Sequence, residues 1–144
     1  MKRVDTIKWH LMLAIVFMAS FLGSCKKKAP EPDARTLQMQ KLSASWKVNS
    51  VENDDLDVTS QYSGFTLTVN DLKYTTTNGG NPWPSSGTYD FKDADLTILV
   101  RSDGTEIQIE ELTSSTLVLS FNYNSLTGGR TNGVTGNFIF SLKK

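Results

Sequence analysis

A chain of 144 residues with 15 basic and 15 acidic side chains has room for one modest domain plus appendages. The neutral total hides an asymmetry: residues 45–144 hold seven basic against twelve acidic residues, a net charge of −5. An acidic domain without a basic stripe repels phosphates, which argues against nucleic acid as a partner.

The basic residues gather at the start instead. Lys2, Arg3 and Lys8 precede an uncharged run from Leu11 to Gly23, with Ser24 next. A positive head, a short apolar stretch and a small residue form the physical plan of a secretory signal peptide, predicted here over residues 1–24. The run falls short of the roughly 20 apolar residues a membrane span needs. Leu22-Gly23-Ser24-Cys25 resembles the bacterial lipobox, which implies cleavage between Ser24 and Cys25 and lipidation of Cys25. Multiple acyl chains give stable membrane attachment, since one is marginal and two suffice. Lys26-Lys27-Lys28 then either faces anionic headgroups or keeps the tether solvated. A lysine directly after the cysteine, with no acidic run, fits an outer-membrane lipoprotein facing the periplasm.

Residues 25–34 read as the lipidated cysteine and a linker, semi-extended because of Pro30 and Pro32. Asp33 is placed to cap a short helix, Ala34 to Ser43. Beyond it the composition turns to Thr, Ser, Val, Ile, Tyr and Phe, and the apolar period becomes two. Eight strands are predicted, at 45–52, 64–70, 72–77, 87–92, 96–101, 105–111, 116–123 and 134–142. Asp103-Gly104 supplies a turn signal between two of them. Eight antiparallel strands in a meander, each with one apolar face, predict an all-β fold over 35–144: an up-and-down barrel behind a short N-terminal helix.

"LSASWKV" at the first strand is similar to the lipocalin-type start, with Ala44 where a Gly would precede Trp46. Together with "SGFTLTV", "NGGNPWPSSGTYDF" and "GNFIFSLKK" it resembles the bacterial lipocalin-like lipoproteins. The resemblance implies a lipocalin-like barrel and a binding function, for a small apolar molecule or an envelope protein. The competing reading is a filled barrel acting as a structural or protein–protein interaction module.

Chemistry is bounded by what is missing. The one histidine, His10, lies in the signal segment, and the one cysteine is the acylated one. The mature domain therefore lacks the residues for Cys/His nucleophilic catalysis and the usual zinc and copper ligands. No catalytic residue, metal site or cofactor is assigned. Strand parity sends Asp90, Lys92, Glu106 and Glu110 outward and places no charge inside. "ENDDLD", residues 52–57, lacks the spacing of a calcium loop and reads as a solvated loop. Parity turns Trp46, Phe65, Tyr74, Tyr89, Phe91, Phe121, Tyr123, Phe138 and Phe140 inward, and leaves Leu99, Val118 and Ile139 on the outside. Trp83, between Pro82 and Pro84 in a Gly/Ser-rich loop, either plugs one end of the barrel or stands out as a recognition residue. The candidate binding residues are Trp83, Tyr74, Tyr89, Phe121, Tyr123 and Arg130.

Overall fold

A computed structural model describes residues 31–124 and 134–144. Helix α1 (Ala34–Leu42) starts where the sequence places its cap: Asp33 accepts the Thr36 amide at 2.7 Å. Nine strands follow: β1 (Ser45–Asn53), β2 (Leu56–Asp57), β3 (Thr66–Asn70), β4 (Lys73–Thr77), β5 (Ser86–Phe91), β6 (Ile98–Arg101), β7 (Glu106–Leu112), β8 (Thr116–Asn124) and β9 (Thr135–Lys143). Each neighbour pair is antiparallel, and β1 also pairs with β9, from Lys47↔Lys143 to Asn53↔Phe138. That last pairing closes β1 and β3–β9 into an eight-stranded up-and-down barrel, so no long edge is left open. The two-residue β2 folds back on the end of β1 inside the segment expected to be a loop.

The inward set is built by alternation. Leu67 and Val69 in β3, Ile107 and Ile109 in β7, Leu117, Leu119 and Phe121 in β8, and Phe138, Phe140 and Leu142 in β9 are all buried. Two bulges adjust the parity: the β1–β9 register shifts between Val48 and Ser50, and the β7–β8 register between Ile109 and Glu111. The first turns Val51 inward after Trp46, and the second leaves both Glu110 and Glu111 exposed.

Strand β6 departs from expectation. Leu99 is buried, not exterior, and so is Arg101, a charge inside the barrel. The cause lies at both ends of the strand. Asp93 accepts the amides of Thr97 and Ile98, and Leu96 adopts a left-handed φ of 60°, so the strand begins only at Ile98. At the other end Arg101 N–H donates to Thr105 C=O and Gly104 N–H to Arg101 C=O, both at 2.9 Å. The loop is therefore three residues, Ser102-Asp103-Gly104, and Leu99 pairs with Ile107. Val118 and Ile139 are half-buried on the opposite parity to the core, as expected.

Gly104 has a φ of 86°, with open space where a Cβ would sit. Gly104→Val is thus expected to cost about 1–2 kcal/mol from backbone strain alone. An unchanged melting temperature would show that the loop has another accessible geometry.

Candidate functional site

Antiparallel order puts the β1–β3, β4–β5 and β6–β7 connections at one end of the barrel. Helix α1 and the β5–β6 loop meet at the other. Gln38 Nε2 donates to Leu96 C=O, Arg35 pairs with Asp90, and the Trp46 indole donates to Leu42 C=O at 2.9 Å. Leu42 and Trp46 are buried there, and the Lys144 ammonium lies 4.8 Å from the Trp46 ring centre. The helix and the C-terminal residues thus close that end.

The far end is closed by the β4–β5 loop. Trp83 is only 4% exposed, and Pro82 beside it is fully buried. The indole packs edge-on against Tyr74, Phe121 and Phe140, at centroid distances of 5.8, 5.5 and 5.9 Å, and leans on Phe65. Trp83 is therefore a plug in this state, the first of the two alternatives its sequence leaves open. Gly79 is what lets the loop turn this tightly, because a Cβ there would stand 2.5 Å from Trp83 Cβ and 2.7 Å from its carbonyl oxygen. Thr76 ties the return, its hydroxyl donating to Pro84 C=O and its amide N–H to Ser85 C=O, both at 2.8 Å.

One polar atom of the plug is not satisfied. The Trp83 indole N–H is buried and makes no hydrogen bond among the described residues. An unsatisfied buried donor costs about 1–3 kcal/mol, so the seat is well packed but polar-deficient.

Arg101 lies directly under the plug, 2% exposed, its guanidinium 5.2 Å from the centre of the Trp83 ring and 6.0 Å from that of Phe121. Nε and Nη2 reach Asp103 at 3.2 and 2.5 Å, and Nη2 also reaches the Thr105 hydroxyl at 3.1 Å. Nη1 donates instead to the carbonyl of Pro82, at 2.7 Å. Burial pushes the Asp103 carboxyl up. The hydrogen bonds from Arg101 and Thr105, with the nearby positive charge, outweigh it and hold the group below the usual carboxylate range.

Between the plug and the helix end lies a cavity of about 20 Å³, lined by Leu42, Leu67, Val69, Leu99, Ile107, Leu117 and Leu119 together with Tyr74, Trp83, Tyr89 and Arg101. That is room for about one water molecule. The aromatic crowding read from the sequence is real: of the nine inward aromatics, all but half-buried Tyr123 are buried. Tyr62, from a short 3-10 turn (Thr59–Tyr62), joins them unforeseen, edge-on to Phe140 at 5.0 Å. Its sequence context is a polar loop, so no period announces it.

The candidate residues thus separate. Trp83, Tyr74 and Phe121 meet at the plug, and Tyr123 lies on the same inward face of β8 beyond Phe121, towards the strand's end. Tyr89 sits nearer the helix end, its hydroxyl donating to Asp71 C=O at 2.7 Å. Arg130, Ser24 and Cys25 lie outside the described residues. Two of the "ENDDLD" carboxylates serve separate bonds: Asp54 accepts the Asn137 amide of β9 at 2.9 Å, and Asp57 the nearby Thr59 amide at 2.8 Å.

Burial, with the Asp71 charge adding to it, pushes the Tyr89 hydroxyl up to about 12. A phenol raised in the folded state favours folding fully below the unfolded pKa of about 10 and loses that contribution as pH climbs towards 12. Stability should fall above pH 10, and Tyr89→Phe should flatten part of that decline. Parallel curves for the two proteins would mean that Tyr89 ionises freely when folded.

The family model described as "Lipocalin-like domain" matches residues 42–119, more than half of the chain. The chain belongs to this lipocalin-like family. No curated protein and no solved structure matches it. The match begins at Leu42, where α1 closes one end of the barrel, and includes both Trp83 and Arg101. Among the described residues its barrel interior is lined by buried apolar and aromatic side chains, with Trp83 of the β4–β5 loop seated at one end.

Proposed function

We propose that the chain is a lipid-anchored protein of the bacterial cell envelope, without enzymatic activity, whose lipocalin-like barrel takes up a small apolar ligand at the position held by Trp83. The observation that carries the reading is the plug itself. A buried indole with an unbonded N–H is seated over the interior by one loop, not by a strand, so its removal opens an apolar site without unzipping the barrel. The ligand reading rests on the fold by analogy, and an eight-stranded barrel has room for one small molecule at most. Native mass measurement of protein purified from its own host tests it: a retained small molecule adds mass that denaturation removes. A neutral dye such as N-phenyl-1-naphthylamine should bind weakly to the native chain and well once Trp83 is removed.

The second reading, a filled barrel serving as an interaction module, is favoured by the cavity of about 20 Å³. It predicts that no small molecule copurifies and that dye uptake stays absent when the plug is removed. Attachment rests on Leu22-Gly23-Ser24-Cys25. Cys25→Ser should abolish fatty-acid labelling and release the protein from the membrane fraction. Continued labelling and sedimentation would sink the anchor.

A further inference from the structure

We infer that Pro82-Trp83 stands in the place of the ligand, and that the ligand is a small aryl-alkanoic acid whose ring replaces the indole and whose carboxylate takes Arg101. The inference rests on the gated-site reading above and adds the ligand's chemistry.

Among the described residues Arg101 is the one charged side chain in the buried set, and its bonds divide into two groups. Those from Nε and Nη2 go to Asp103 and Thr105, in and beside the β6–β7 turn, and do not depend on the plug. They fix the guanidinium plane in advance, so little ordering is left for binding. The bond from Nη1 goes to the plug's own backbone, the Pro82 carbonyl, and the ring stacked nearby is the plug's own side chain. When the loop lifts, Nη1 and one face of a buried cation lose their partners together. A buried cation left so is costly, and whatever enters must supply an acceptor at Nη1 and a flat apolar body beside it.

The plug also gives the spacing. From the Trp83 ring the covalent path runs through Cβ, Cα and N to the Pro82 carbonyl carbon. A ring, three linking atoms and a carboxylate reproduce that path, and a carboxylate makes a stronger bond to guanidinium than a peptide carbonyl does. Asp103 offsets part of the charge, and at 41% side-chain exposure it remains partly in water, where its field is screened.

Indole-3-butyrate has this path, and indole-3-butyramide is its uncharged counterpart of the same shape. In the full chain carrying Trp83→Ala, calorimetry should show the acid binding roughly tenfold tighter than the amide, the scale of one charge-assisted hydrogen bond. The preference should disappear on adding Arg101→Gln. The Asp103→Asn chain keeps the plug and its packing, and serves if the alanine variant does not fold. There the acid should raise the melting temperature more than the amide does. Equal binding of acid and amide, or uptake of the neutral dye with neither bound, overturns the carboxylate inference alone. Failure of a folded Trp83→Ala chain to take up dye, acid or amide overturns the gated site and this inference with it.

Discussion

Trp83→Ala should destabilise the protein by about 3 kcal/mol, at the low end of the range for large aromatic truncations in a core. The ring loses contact with Phe65, Tyr74, Phe121 and Phe140, and a cavity opens beside the space of about 20 Å³ already there. The loss stops short of the upper end because the mutation also removes the unbonded indole N–H. For a domain of this size the melting temperature should drop by roughly 10 °C or more. The same variant should take up a neutral apolar dye that the native chain excludes. Destabilisation without dye uptake would mean that the interior collapses into the space, and would favour the filled interaction module. Full stability with no dye uptake would mean that Trp83 leaves its seat in solution and acts outside the barrel.

Most of the barrel is legible in the sequence because alternation is a strong signal wherever one strand face is buried and the other is wet. All eight expected strands lie within two residues of the observed ones, and the inward aromatics of β4, β5, β8 and β9 follow directly. Strand β6 is where the inward set fails, although its expected bounds and the loop 102–104 agree with the structure. A two-residue Asp103-Gly104 loop would pair Ile107 with Val100 and send Leu99 and Arg101 outward. The observed loop takes in Ser102 as well and pairs Ile107 with Leu99, which sends both inward. A one-residue change of register reverses every side chain on a strand. Arg101 is thereby hidden from sequence reasoning, although Asp103-x-Thr105 is the arrangement that compensates its burial. The seat of Trp83 is only half legible. Its flanking prolines mark a stiff loop, but the direction of that loop depends on Gly79 and on Thr76 reaching Pro84, contacts no local period encodes.

Arg101→Met should cost about 2 kcal/mol, and the cost should fall unevenly over the molecule. Methionine fills a similar length without charge, so the barrel keeps its packing. The Pro82 carbonyl is left buried without its donor, and the cation's attraction to the Trp83 and Phe121 rings is lost. The gain from no longer burying a charge offsets part of this. Because the orphaned carbonyl belongs to the plug loop, amide exchange should rise most between Asn78 and Ser85, ahead of the strands. Acid gives an independent check. Asp103 is held below its ordinary carboxylate pKa, so its pairing favours folding above about pH 4 and is lost as pH falls through the lowered value. The stability gap between the native chain and Arg101→Met should therefore narrow below pH 4. Asp103→Asn should cost less than Arg101→Met, because the asparagine can keep the turn bond to the Thr105 amide while the guanidinium keeps Pro82 and Thr105. Equal costs for the two substitutions, with no added exchange in the loop, would place the value of Arg101 in its ion pair and remove it as the support of the plug.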